Sequence, residues 1–129
     1  MKIYCSNVSG INNLAKMHTV INDARRYDIS LLQETKLSAQ NTGRLQLKWG
    51  HPDGVFMSSA LEGTRRGVIT LFSPRLNVKH LYVHKDDEGQ FLLNVAVIND
   101  EIFLIANIYM ATQLPIPMRP ETLTDLLHK

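Results

Sequence analysis

The chain has 129 residues, which is enough for one domain with a hydrophobic core. Its hydrophobic fraction of 44% and charged fraction of 20% are ordinary for a globular protein and exclude a low-complexity chain. The formal net charge is only +2, so net charge alone predicts no strongly charged partner, although a pI near 8.8 permits nucleic acid.

No apolar run approaches the roughly 20 residues that a membrane-spanning helix needs, and the amino terminus is too short in apolar residues for a signal peptide. The single cysteine, Cys5, cannot form an internal disulfide, which favours a reducing compartment. Its place in an apolar strand predicts a small core residue. We therefore expect an intracellular protein, nuclear or cytoplasmic, that has no membrane partner.

The amino-terminal third alternates strand, helix and strand. Residues 2–6 and 29–33 are predicted strands, and residues 12–26 form a predicted helix capped by Asn12 or Asn13. This order is a βαβ unit, so the two strands should run parallel. Ser38 is a candidate cap for a second helix that reaches Lys48.

The rest of the chain is rich in strands. Residues 54–60, 67–72 and 77–84 are predicted strands, and residues 90–98 and 101–109 are predicted to form an antiparallel hairpin turned by Asn-Asp. Residues 120–129 begin an amphipathic helix. The pattern predicts an α/β fold with a mixed, mostly antiparallel sheet.

Polar side chains follow the ends of the apolar strands. Asn7 and Glu34 follow the two parallel strands, and Asn107 and Tyr109 lie near the end of the last one. The carboxyl ends of parallel strands meet at one edge of a sheet, where ligands of α/β proteins bind. A carboxylate beside amide and phenol groups suits a hard cation such as Mg²⁺. The structural alternative is that Glu34 reaches solvent or pairs with Lys36.

A pair of arginines, Arg65 and Arg66, precedes one of the predicted strands. They are candidates for phosphate contact, with a solvated turn as the alternative. Trp49 is predicted to plug the core beside a loop rather than to stack on a base.

Five segments of the chain together resemble a known family. They are "CSNVSGI" (5–11), "DISLLQETKL" (28–37), "RGVITL" (66–71), "DDEGQF" (86–91) and "ANIYMAT" (106–112). Their order and spacing resemble the amino-terminal half of the exonuclease–endonuclease–phosphatase superfamily. Within it, the chain is similar to the endonuclease domains of non-LTR retrotransposons and to apurinic-type endonucleases.

The resemblance implies half of a four-layer α/β sandwich with helices on one face of the sheet, spanning residues 1–129. It also implies a metal-dependent phosphodiesterase that uses Mg²⁺ (or Mn²⁺) and acts on DNA. Asn7, Glu34 and Tyr109 would be catalytic, with Glu34 and Asn7 binding the metal and Tyr109 positioning the phosphate. Arg65, Arg66 and Asn107 would contact the nucleic acid.

The chain departs from the family pattern in two respects. Met110, Ala111 and Thr112 follow "NIY" where the family has an Ala-Pro-Asn type sequence, and the family's Asp-x-Asn and late Asp-His motifs are absent. We therefore expect weak metal binding and an inactive, truncated domain. The alternative is a non-catalytic, retroelement-derived binding module. In either case the apolar strands predict a homodimer formed through an exposed sheet.

Overall fold

The computed structural model describes residues 1–59 and 66–109. In chain order the elements are β1 (Ile3–Asn7), α1 (Leu14–Ala24), β2 (Ile29–Gln33), α2 (Ala39–Trp49), a 3₁₀ turn (Pro52–Gly54), β3 (Val55–Ser58), β4 (Val68–Phe72), β5 (Val78–Lys85), β6 (Phe91–Ile98) and β7 (Glu101–Ile108). The predicted helix at residues 120–129 and Arg65 lie outside the described residues.

The first sheet is mixed and has the strand order β1-β2-β4-β3. β1 and β2 run parallel, as the βαβ pattern predicts, and Asn7 at the end of β1 is in register with Gln33 at the end of β2. β4 runs antiparallel to both of its neighbours. Because Glu34 follows Gln33 directly, this register brings the ends that carry Asn7 and Glu34 side by side.

Both helices pack on one face of this sheet. The Asn13 side chain caps α1 by accepting a hydrogen bond from the Lys16 amide, and Gly50 ends α2 in the left-handed conformation that glycine adopts without strain. Trp49 is buried in this layer and donates its indole N–H to the Phe72 carbonyl over 3.2 Å. The prediction of a core role for Trp49 is therefore confirmed.

The last three strands form a separate antiparallel sheet in the order β5-β6-β7. The hairpin between β6 and β7 turns at Asn99 and Asp100, which have φ values of 52° and 67°, as the Asn-Asp pair predicts. This sheet covers the face of the first sheet that lies away from the helices. The shared core contains Ile29, Phe72 and Ala96.

The three layers of helices, mixed sheet and antiparallel sheet confirm the predicted α/β class. The later strands form a second layer instead of extending the first sheet. All five residues of β4 are buried, so that strand needs a cover on each face, and the helices supply only one. The apolar strands that were expected to be bare therefore cover one another.

Two local predictions are wrong. Cys5 is exposed because β1 is an edge strand and the second sheet packs mainly over the other three strands. Strict alternation in residues 77–84 would put His80 and Tyr82 on one face of β5. A bulge between them pairs His80 with Ala96 but Tyr82 with Val95, so the two side chains face opposite ways.

The outer face of the second sheet carries exposed apolar side chains. Ile102 is 73% exposed and Leu104 is 52% exposed, and Tyr82 lies on the same face. Neither described helix is long and apolar enough to span a membrane.

Candidate functional site

The candidate site is built on the paired ends of β1 and β2. The Asn7 side chain lies beside the Glu34 carboxylate and lowers its pKa as a hydrogen-bonding neighbour. The Asn7 Oδ1 atom accepts the Ser9 amide over 3.0 Å, which leaves the Nδ2 group as the atom of Asn7 that can donate to Glu34. Asn7 therefore orients the carboxylate, and its oxygen is already engaged within the loop.

Glu34 also forms an ion pair within its own loop. Its Oε1 atom lies 3.1 Å from Lys36 Nζ, with the side chains 22% and 42% exposed. The hydrogen bond from Asn7, followed by the one from Lys36, lowers the pKa of Glu34 from its ordinary value. The carboxylate is ionised at neutral pH, and the predicted alternative pairing with Lys36 is present in the structure.

Backbone hydrogen bonds join the loops around Glu34 into one structure. The Gly10 amide donates to the Glu34 carbonyl over 2.7 Å, and the Lys36 amide donates to the Arg66 carbonyl over 2.7 Å. The Gly67 amide donates to Gly89 over 3.0 Å, and the Tyr109 amide donates to Gln90 over 2.6 Å. We call residues 7–10, 34–36, 66–67, 89–90 and 109 the site rim.

The site rim concentrates unusual backbone conformations. Glu34, Lys36 and Arg66 have φ values of 56°, 50° and 56°, and Ser9 is similar at 50°. Residues other than glycine rarely adopt positive φ. Such conformations persist where the surrounding structure enforces them, often at binding sites. This clustering is a structural reason, independent of the sequence motifs, to place a site here.

Gly67 is required by the close packing of the rim. Its φ is 105°, and a Cβ atom at this position would lie 2.5 Å from Thr35 Oγ1. Thr35 is itself buried, and its amide donates to the Gly67 carbonyl over 3.1 Å. The backbone of residues 66–67 can therefore approach the Glu34 loop only because residue 67 has no side chain.

Two of the other predicted site residues lie on the site rim. Tyr109 lies on the rim, at the end of the second sheet. Arg66 also lies on the rim, where its guanidinium is 3.5 Å from the Glu88 carboxylate.

Asn107 is placed differently from the prediction that it contacts nucleic acid. It is fully buried between the sheets, and both of its amide atoms are hydrogen bonded within the protein. The alternating pattern of β7 puts residue 107 on the inner face while Tyr109 lies beyond the strand.

The donors on the rim fit a weakly held divalent cation. Within residues 1–59 and 66–109, no group of three or more His, Cys, Asp or Glu side chains could hold a metal ion. One ionised carboxylate is nevertheless within the range that Mg²⁺ uses, because this ion keeps several waters and takes one or two carboxylates. Glu34 is the residue that would hold it.

Sequence reasoning selected Glu34, Asn7 and Asn107 as candidates but did not predict the buried contact of Asn107 with Gln33. Gln33 and Asn107 meet through a 2.8 Å hydrogen bond directly beside Glu34. The available signal was a polar residue directly after an apolar run near each strand end, Gln33 in β2 and Asn107 in β7.

Comparison with solved structures gives the fold an independent assignment, whereas no family model matches the sequence. The AP endonuclease LMAP from Leishmania major matches with a TM-score of 0.58 at 20% identity, over 85% of this chain and 40% of LMAP. The endonuclease domain of TRAS1, a telomere-specific non-LTR retrotransposon, matches with a TM-score of 0.56 at 15% identity, over 97% of this chain and 51% of that domain.

The chain spans about half the length of these proteins or less. At such identities the match establishes the fold and leaves activity open. The two matches are of the kinds that the sequence segments resemble, an apurinic-type endonuclease and a retrotransposon endonuclease. The chain therefore has the fold of the AP and non-LTR retrotransposon endonucleases.

Proposed function

We propose that the chain is the amino-terminal part of a Mg²⁺-dependent, endonuclease-like phosphodiesterase domain of the retroelement type, with DNA as its partner. The observation that carries this proposal is the pairing of Asn7 with Glu34 at adjoining strand ends, with Glu34 held ionised on a strained rim. Strained backbone conformations cluster at binding sites, and this cluster surrounds an ionised carboxylate, which supports the proposal.

Each residue would have a distinct role. Glu34 would hold the cation, and Asn7 would orient the carboxylate through its amide nitrogen. Tyr109 would donate its phenol O–H to a phosphate oxygen, and Arg66 would contact the phosphate backbone after leaving Glu88. A bound Mg²⁺ would neutralise charge on the phosphate and stabilise the leaving oxygen.

The 129-residue polypeptide is expected to be inactive by itself. The Asp-x-Asn and Asp-His motifs that the family resemblance calls for are absent from this sequence. Without a group to take the proton from the attacking water, general-base catalysis, which contributes roughly 10²–10⁴-fold, would be lost.

Metal binding tests the proposal directly. Mn²⁺ is titrated into the protein while paramagnetic broadening of the backbone amides is followed by NMR. Broadening should be centred on residues 7 and 34 and should disappear in Glu34→Gln, with Glu101→Gln, an exposed acid at the start of β7, as the matched control. Unselective broadening, or broadening unchanged in Glu34→Gln, would refute the site.

A nicking assay tests the expected inactivity. The purified chain should leave supercoiled plasmid intact in Mg²⁺ at background level. Mg²⁺-dependent nicking that is lost in Glu34→Ala would show that the active site is completed in another way.

The alternative function, a non-catalytic module that dimerises, is favoured by a different observation. The outer face of the second sheet exposes Ile102, Leu104 and Tyr82 together. Exposed apolar patches mark interaction surfaces. We propose a second copy of the chain as the partner, with the two outer faces in contact.

A further inference from the structure

A single polar side chain links the two sheets beside the candidate site. Asn107 is fully buried in β7, and its Nδ2 group lies 2.9 Å from the Ile69 carbonyl, 3.3 Å from the Leu32 carbonyl and 3.2 Å from Thr70 Oγ1. Its Oδ1 atom accepts from Gln33 Nε2 over 2.8 Å. Asn107 thus joins the second sheet to β2 and β4 of the first.

The neighbourhood makes this polar residue unusual. The core between the sheets is built mainly from apolar side chains such as Phe72, Ala96 and Ile98, which specify how closely the sheets approach. Apolar contacts are non-directional and do little to fix how far one sheet slides along the other. A fully bonded buried amide does fix it, because any slide leaves buried polar groups unpaired.

The network lies directly beside the proposed site. Leu32 and Gln33 immediately precede Glu34, and Asn107 precedes Tyr109 by two residues. Glu34 and Tyr109 are thus one and two residues along the chain from the network. At about 3.3 Å per strand residue, this separation is roughly 7 Å at most. Within the described residues, the backbone hydrogen bonds that connect the Glu34 loop to Tyr109 run through residues 66–67 and 89–90, which is a longer path than the contacts of Asn107.

We propose that Asn107 is a positioning residue. It locks β7 against β2 so that Tyr109 and Glu34 are presented to the same phosphate. This inference rests on the proposed function for its purpose, but the positioning itself can be measured without a metal.

The main variant is Asn107→Leu, which keeps a side chain of similar size and removes the four contacts. Asn94→Leu is the matched control. Asn94 is also fully buried in the second sheet, and neither of its amide atoms has a partner within the described residues. Ile98→Ala is the second control, because it weakens the core between the sheets at the far end of β6.

The metal-free readout is the set of backbone amide shifts. In Asn107→Leu, the amides of residues 34–36 and 109 should move, whereas both controls should leave them in place. The proposal would be overturned if the amide shifts in Asn107→Leu changed only in the core. It would also be overturned if Ile98→Ala, at an equal loss of stability, moved the amides of the same loops. If Asn107→Leu does not fold, Gln33→Leu removes one of the four Asn107 contacts, the 2.8 Å hydrogen bond, together with the contacts of Gln33 to Leu31 and Cys5, and should move the amide of residue 109 less.

The readout with Mn²⁺ separates this inference from the proposed function. In the wild type, Mn²⁺ bound near Glu34 should broaden the Tyr109 amide together with residues 7 and 34. In Asn107→Leu, broadening at residues 7 and 34 should persist while that at Tyr109 falls several-fold. If Mn²⁺ does not bind but the metal-free amide shifts change as expected, the proposed function is rejected and the positioning role of Asn107 is retained. Unchanged broadening at Tyr109 would reject the positioning role alone.

Discussion

The ammonium group of Lys36 lies 3.1 Å from a carboxylate oxygen of Glu34. A divalent cation held by Glu34 must compete with this ammonium, since both favour the same ionised carboxylate. Lys36 therefore lowers the pKa of Glu34 and would also oppose the proposed metal binding.

Replacing Lys36 should strengthen metal binding. In Lys36→Met we expect the Mn²⁺ affinity at neutral pH to rise about two- to fivefold, because exposed ion pairs are worth roughly 0.2–1 kcal/mol. Lys79→Met, an exposed lysine on β5, is the control and should not change the affinity. Affinity is measured by the NMR titration, and weaker binding in Lys36→Met would mean that Lys36 belongs to the binding site.

Two glycines should respond in opposite directions to the same substitution. Gly67→Ala forces a Cβ against Thr35 Oγ1 at φ 105° and should destabilise the fold by about 1–3 kcal/mol, with shifted amides at residues 34–36. Gly43 lies inside α2 with nothing within 4 Å of its Cβ position, so Gly43→Ala should stabilise the protein by about 0.5–1 kcal/mol. Urea denaturation measures both, and equal effects would show that rim packing does not constrain Gly67.

His80 should make stability depend on pH. Its ring centroid is 4.8 Å from the rings of both Phe56 and Phe72, and burial, aided by the charge of His51, lowers its pKa below the ordinary 6.5, while Asp53 opposes the shift. The unfolded chain therefore binds the proton more readily, so stability falls as the pH drops from about 6.5 toward the lowered pKa.

The test is urea denaturation across this range. His80→Phe should flatten the pH dependence, whereas Phe56→Leu, which alters the packing without removing the imidazole, should retain it. A slope that survives in His80→Phe would assign the effect to another group.

The sequence predicted the first sheet and the strand ends well, for identifiable reasons. The βαβ order fixes parallel pairing of β1 and β2, and that pairing places Asn7 beside Glu34. The Asn99–Asp100 turn follows from the tolerance of these residues for positive φ.

Tertiary features were less accessible to sequence reasoning. A bulge adds one residue to a strand, and nothing in the composition of the strand indicates it. The face of the sheet on which Tyr82 lies could therefore not be predicted from alternation. The exposure of Cys5 depends on where the second sheet stops, and the burial of Asn107 depends on the layer opposite it. Both are decided by contacts between segments far apart in the chain.

The dimer prediction now concerns one defined surface. Ile102 and Leu104 lie on the edge strand β7 of the second sheet, and Leu93, Val95 and Val97 lie beside them on the same face of β6. Covering several hundred Å² of such surface at about 25 cal/mol per Å² contributes on the order of 10 kcal/mol, against association costs of similar size. The balance predicts a dimer that dissociates on dilution.

Leu104→Glu should break that dimer, because it places a charge within the apolar contact. Leu47→Glu is the matched control, since Leu47 is 83% exposed on α2, an element of the opposite layer, and this change should leave the mass unaltered. Light scattering coupled to gel filtration at micromolar concentration measures the mass. A monomeric wild type with a cooperative melt would disprove the dimer, and a dimer that Leu47→Glu dissociates as readily as Leu104→Glu would place the contact elsewhere.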